Sequence, residues 1–310
     1  MKVNTVIRRP DGKLILNPLK DAVRDFTLEM FQGAAPTNVV SLAAGARSAP
    51  IIITIPAWAH FEALGLMGWA VDTATRLVDR SRFVTMRVEA TSRWNPSWDD
   101  EHIMANVCGT AQRPFIFPHS CLWLATQTIQ ITFRNLDVAG VDISVAFPGR
   151  AIVLNRAKSK DVDDLVKGVQ DEYSGLQLLT SRGGLINSTL LALTNNQLMY
   201  VDIGSARHFE LHKRNATIQR TAVAALTGST RIGFRDQDGY EWTNNYRTPA
   251  DDTQVFGNAQ FPHILFEPTL LRRGTFLELN WDNLNAGTNL VAVSLIGRSV
   301  GVAYESEQLS

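Results

Sequence analysis

Cysteine is scarce in this sequence, and net charge is missing altogether. Two cysteines in 310 residues, Cys108 and Cys121, cannot staple a secreted scaffold, and without histidine pairs nearby they cannot complete a four-ligand zinc site. They read as reduced, partly buried thiols. Thirty basic residues balance thirty acidic ones, so no overall field draws the chain to nucleic acid or anionic lipid, and little repulsion opposes self-association. No stretch approaches the ~18 apolar residues of a membrane-spanning helix, and Met1 to Gly12 carries Arg8 and Arg9 with no apolar run. Neither a transmembrane helix nor a signal peptide is expected. The chain reads as made in a cytoplasm, where the sequons at Asn187 and Asn215 have no consequence.

The short motifs of nucleotide and cofactor chemistry are absent too. There is no Walker pattern, dinucleotide fingerprint or paired-cysteine motif. Gly297-Arg298-Ser299-Val300-Gly301 has nucleophile-elbow spacing, but that motif needs an acid and a histidine later in the chain, and no histidine follows His263. His60-Phe61-Glu62 and His208-Phe209-Glu210-Leu211-His212 place histidine and carboxylate on one side of a strand, as a metal site could begin. A double-domain cupin, however, needs a close histidine pair in each half, and the first run lacks it. Both read as hydrogen-bonding residues near a strand end, and no enzyme, metal or cofactor is expected.

What is present is one domain written twice. Gly257-Asn258-Ala259-Gln260-Phe261-Pro262 repeats Gly109-Thr110-Ala111-Gln112-Arg113-Pro114, an offset of 257 − 109 = 148. The same offset relates Asn283-Leu284 to Asn135-Leu136, Gly297-Arg298 to Gly149-Arg150, His208-Phe209-Glu210 to His60-Phe61-Glu62, Arg235 to Arg87 and Trp242 to Trp94. Residues 51–150 therefore align on 199–298 without a gap, as in a duplicated domain and unlike a solenoid of short repeats. The length suits two domains, each with its own core.

Within each copy the hydrophobic period is two. Ile129, Ile131 and Phe133 alternate with polar neighbours, as do Ile143, Val145 and Phe147. The second copy keeps the register with Leu277, Leu279 and Trp281, then Val291, Val293 and Leu295. Eight strand-like runs can be counted in that copy: 198–203, 216–226, 230–235, 240–243, 253–257, 263–266, 275–281 and 290–296. Eight antiparallel strands suggest a jelly roll and seven an immunoglobulin-like sandwich, and the count leaves both open. The fold class expected is all-β: two tandem, internally duplicated jelly-roll-like sandwiches, at 41–153 and 191–310.

Outside the repeat, residues 1–40 read as a basic arm and a short amphipathic helix. Asp11-Gly12 between apolar pairs could turn a small hairpin. Asn17-Pro18 then reads as a helix start, Leu19, Val23, Phe26 and Met30 recur at helical spacing, and Gly33 stops the run. Lying outside the repeated cores, that stripe is the candidate subunit contact. Residues 154–190 read as a charged linker with a short helix over 158–172.

One loop has the look of a binding surface, Trp94-Asn95-Pro96-Ser97-Trp98-Asp99-Asp100-Glu101-His102. Trp94 and Trp98 could stack on sugar rings and Asp99 and Asp100 could take a cation, in a ligand or subunit contact, although such a run is ordinarily a solvated loop. The corners from Gly109 to Pro114 and from Gly257 to Pro262 precede apolar runs and read as structural turns that set the next strand's register.

Two similar jelly rolls without a catalytic constellation resemble the double jelly-roll capsid proteins of icosahedral viruses and bacteriophages. The run Phe266-Glu267-Pro268-Thr269-Leu270, then Gly274 to Asn280 and Val291 to Arg298, also resembles the β-rich head-decoration and connector proteins of bacteriophages. The resemblance implies a virion structural protein, made in a host cytoplasm, that works through subunit interfaces. Its partners would be copies of itself, as a trimer or ring, and other virion proteins, with contact to an internal lipid layer left open. Short loops leave little material for the towers of larger family members. The alternatives are a carbohydrate- or receptor-binding module and, behind it, a cupin-like enzyme.

Overall fold

The computed structural model describes residues 6–8, 14–16, 23–30, 39–90, 97–98, 100–154, 176–180, 188–190, 197–205, 207–220, 230–239, 241–242, 250–284 and 288–300. The helix expected over 158–172 lies outside them, as do Leu19, Trp94 and Asp99.

The described chain is almost entirely β. Strands β1 (Val6–Arg8) and β2 (Leu14–Leu16) form the expected small hairpin, with Ile7 opposite Ile15. The first sandwich then uses β3 (Val23–Glu29), β4 (Val40–Leu42), β5 (Ile51–Thr54), β6 (Ala59–Asp72) and β7 (Val84–Ala90). Two short strands follow, β8 (Ser97–Trp98) and β9 (His102–Ile103), then a helical turn α1 (Met104–Val107). It closes with β10 (Phe115–Trp123), β11 (Thr128–Asn135) and β12 (Val141–Val153). One sheet runs β10-β6-β12-β3, with β4 also on β12, and the facing sheet runs β5-β11-β7-β9.

The second sandwich contains β13 (Leu176–Thr180), β14 (Ser188–Leu190), β15 (Gln197–Asp202), β16 (His208–Arg220), β17 (Thr230–Asp236) and β18 (Ala250–Asp251). Helical turn α2 (Asp252–Val255) leads to β19 (His263–Leu271), β20 (Phe276–Asn283) and β21 (Asn289–Val300). Its sheets run β19-β16-β21-β13-β8, with β14 on β21, and β15-β20-β17-β18. The pairing register repeats at the sequence offset. Ser144 faces Trp69 as Ala292 faces Thr217, Gly149 faces Ala63 as Gly297 faces Leu211, and Val40 on Ile143 answers Ser188 on Val291.

Several residues written identically in both copies make the same contacts in each. Nε and Nη2 of Arg150 both donate to Glu62 Oε2, at 3.0 and 2.6 Å, and Arg298 repeats this on Glu210 at 2.9 and 2.7 Å. His60 Nδ1 accepts the Ala125 amide and His208 Nδ1 the Arg273 amide, each tying a strand end to the turn beside it. Gly149 and Gly297 lie where the neighbouring strand crosses closely. A Cβ there would meet the Glu62 or Glu210 carbonyl and come within 2.8 Å of the Phe61 or Phe209 ring. The repeat is a record of packing.

Each sandwich has its own core. In the first, Trp123 packs between Phe61 and Phe147, with centroids 5.8 and 5.1 Å away. In the second, Trp281 stacks on Phe256 at 6.2 Å. The inward positions read from the period-two pattern of β11, β12, β20 and β21 are all buried.

Three elements differ from expectation. The described part of the run at Leu19 to Met30, residues 23–30, is not helical. Residues 23–29 form β3, antiparallel to β12 with Phe147 opposite Leu28. The segment carries two periods, since Phe26, Leu28 and Met30 also alternate with Asp25, Thr27 and Glu29, and the open edge of β12 selects the strand. Leu28 and Met30 are buried and Phe26 packs edge-on to Phe61, so this stripe is core of its own domain. The strand expected at 253–257 is replaced at its start by α2, Asp252–Val255. Of the run expected at 240–243, the described residues Glu241 and Trp242 show one bridge, Glu241 to Arg235. In addition, β13 and β14 place parts of the segment read as linker in the second sandwich.

Replacing Gly149 or Gly297 by alanine overpacks equivalent crossings and should lower unfolding free energy by about 1–3 kcal/mol in each case. Denaturant unfolding checks this, and Gly45→Ala is not a suitable control because Gly45 has φ +67°.

Candidate assembly site at the seam between the sandwiches

Amphipathic β-sheets normally bury one face, yet β21 is buried on both. Its inward residues Val291, Val293 and Leu295 are matched by Ala292, Ser294 and Ile296 on the opposite side, at 5%, 1% and 0% exposure. Sandwich 1 covers that outer face, and Ile296 and Ala259 join its core.

The cover is built by β8, β9, α1 and the start of β10. Ser97 and Trp98 pair in parallel with Gln177 and Leu178, so a strand of the first domain extends a sheet of the second. Trp98 is buried edge-on against His102, centroids 5.4 Å apart, and His102 Nδ1 lies 2.9 Å from Ser294 Oγ. At the centre is Asn106, fully buried. Its Nδ2 donates to the Ala292 carbonyl at 3.1 Å and to Ser294 Oγ at 3.3 Å, its Oδ1 accepts from Thr217, and its backbone carbonyl accepts from Asn215 Nδ2 at 2.7 Å. Lys213 Nζ donates to the Ile116 carbonyl at 2.7 Å and sits 5.2 Å from the Phe115 ring centroid. Burial lowers that ammonium's pKa. Where the two corners meet, the Ala259 amide donates to the Ala105 carbonyl, and Arg113 lies 4.6 Å over the Phe261 ring.

The loop singled out in the sequence thus joins the domains through Trp98, which is not available for stacking on a sugar. Asp100 is exposed and accepts the Glu101 amide. Glu101 is buried, accepting from Thr85 at 2.7 Å and pairing with Arg47. The corners owe their glycines to close crossings: a Cβ on Gly109 or Gly257 would land on the Arg113 or Phe261 carbonyl, and Pro114 and Pro262 end the same turns. Of the proposed subunit contacts, Met30 lies in the core, Phe26 packs half-buried against it, and Val23 is a β3 residue opposite Ile152. Asn106, Asn215, Thr217 and Ser294 went unread as site residues. Their one signal was uncharged polar residues at outward strand positions where the first copy has Met67, Trp69 and Ala146.

Among the described residues no group of three or more histidine, cysteine, aspartate or glutamate side chains could hold a metal ion. Both cysteines are buried, and burial pushes the Cys108 thiol up. Arg214 is a buried cation in the second sandwich where the first has Leu66. Desolvation lowers its pKa to about 10. Its Nη2 donates to His263 Nε2 at 3.0 Å, and Phe234 and Phe256 flank it at 5.7 and 5.8 Å. Burial, reinforced by this guanidinium, lowers the His263 pKa.

No protein-family model matches the chain, and no curated protein does. Among solved structures it is similar to PNGF-II at 8% identity, over 88% of this chain and 66% of that one, with TM-score 0.31. The CUB1-EGF-CUB2 domain of human MASP-1/3 matches at 11% identity over 87% and 98%, TM-score 0.18, and oxalate decarboxylase at 8% over 88% and 72%, TM-score 0.15. Likenesses this weak carry no argument about fold or activity.

Two outcomes follow from the geometry. Asn106→Ala strands the Thr217 hydroxyl and the Ala292 carbonyl in the seam and should cost about 2–3 kcal/mol, with faster hydrogen exchange on β16 and β21. Arg214→Leu with His263→Phe installs the first sandwich's Leu66 and Phe115 pair and should raise stability by about 1–3 kcal/mol by removing a buried charge with no carboxylate. Because the folded His263 pKa is depressed, its contribution is full above the unfolded value near 6.5 and is lost as pH falls through the folded pKa. The melting temperature should therefore drop between about pH 7 and 5, less steeply in the double variant. His212, lowered mainly by burial, accounts for part of the remaining slope.

Proposed function

We propose that both sandwiches are jelly rolls and that the chain is a virion structural subunit, acting by self-assembly into a trimer or ring within a capsid shell, decoration layer or collar. The observation that carries this reading is the strand order. Counting β4, β5, β6, β7, β9, β10, β11 and β12 as 1 to 8, one sheet is 6-3-8-1 and the other 2-7-4-5. The strands β14 to β21 repeat that order, with β3 and β13 as additional partners of β12 and β21. An eight-strand antiparallel hairpin wrapped in this order supports the jelly-roll reading, an arrangement found in viral capsid and lectin domains.

The seam favours assembly over ligand binding within that fold class. A sheet face carrying buried amides and hydroxyls is committed to a protein surface, and the same domain written twice supplies similar wedges suited to tiling. Trp98, the residue that would most have supported a sugar-binding module, is spent in that contact.

Light scattering with electron microscopy on the purified full-length chain should give a closed, symmetric multi-chain particle. A single-chain mass at every concentration would remove the assembly reading and restore the binding-module alternative.

A further inference from the structure

The seam is asymmetric. Sandwich 1 contributes its α1 and β10 corner, and sandwich 2 contributes the outer face of β16 and β21. By the 148-residue correspondence each sandwich has both surfaces, and of the second sandwich's corner only the 257–262 turn enters the seam, through Ala259 and Phe261. The unused part of the corner belongs to sandwich 2: Gln254 in α2 corresponds to Asn106, and Ile264 to Ile116. The unused face belongs to sandwich 1: Met67 and Trp69 correspond to Asn215 and Thr217, and Ala146 to Ser294.

Both surfaces carry exposed large hydrophobics. Trp69 is 44% exposed although its counterpart Thr217 is 8% exposed, and Phe261, Ile264 and Phe266 beside the free corner are 59%, 62% and 108% exposed. Large hydrophobics on a mid-sheet face and on a facing corner mark protein contacts. A head-to-tail contact leaves one donor and one acceptor surface free at its ends, and repeating it either closes a ring or builds a filament.

We propose that the α2–β19 corner of one copy docks on the Trp69 face of the next copy, reproducing the internal seam between chains. The occupant is a second copy of this chain, because the surfaces are the repeat-related halves of a contact already formed within it. Arg113 over Phe261 fixes the geometry further. These two are counterparts of each other, and in a ring a residue reaches its own counterpart only near the rotation axis. The corners therefore line the axis, and the exposed Phe261 of one copy meets Arg113 of the next. This proposal rests on the self-assembly reading and names its interface.

Light scattering and thermal unfolding of Trp69→Arg and Gln254→Glu provide the test. Each should reduce the assembly to single chains without lowering the melting temperature of the sandwiches, since Trp69 is half-exposed and lies outside the cores, and combining them should restore the assembled mass through a new ion pair. If the wild-type chain assembles and both variants keep its mass, this interface is wrong and self-assembly stands. If the wild-type chain is a single chain throughout, both fail. Phe261→Ala, which also loosens the internal corner contact, should weaken assembly at least tenfold in concentration, and an unchanged midpoint would overturn the axial placement.

Discussion

The outer surface of β16 and β21 would be a solvated sheet face in an isolated sandwich. Here α1 and Trp98 lie on it, and Asn106 makes that cover specific by exchanging hydrogen bonds with Asn215, Thr217, Ala292 and Ser294. Each such bond contributes only about 1 kcal/mol net, whereas an unmatched buried partner costs about 1–3 kcal/mol. The network therefore acts as a register device: shifting the sandwiches strands several polar groups at once. The parallel pairing of β8 with β13 adds backbone continuity across the same junction.

The two copies have diverged along a consistent line. Positions that keep one sandwich folded stay the same, such as the Glu62–Arg150 and Glu210–Arg298 pairs and the crossing glycines. Positions on outer faces differ according to what covers them. Trp69 and Thr217 occupy the same register position, one open and one under the other domain. The interior also tolerates a change, since Leu66 and Phe115 are answered by Arg214 and His263. That exchange places a cation against aromatic rings, and their electrostatic attraction offsets part of its desolvation.

Much of the fold was legible because it is local or repeated. Ile129, Ile131 and Phe133 display their inward face by alternation alone, and a constant offset fixes which strands must be equivalent. The β3 segment was misread because Leu19, Val23, Phe26 and Met30 satisfy a helical period while Phe26, Leu28 and Met30 satisfy a strand period. Local pattern cannot choose between them, and the free edge of β12 does. The short α2 turn was missed for a related reason, since one helical turn is too short to show a period.

What the sequence by itself determined is an all-β chain, a pairing register that recurs at an offset of 148, and the inward face of its main strands, because side-chain alternation and repeat spacing are properties of neighbouring residues. Only the tertiary structure decided that Trp98 is buried and Trp69 open, and that Asn106, an amide with no sequence signature, lies at the centre of the seam. Those facts depend on which surfaces meet across more than one hundred residues of chain. A polar side chain facing outward reads the same in sequence whether water or another domain satisfies its hydrogen bonds.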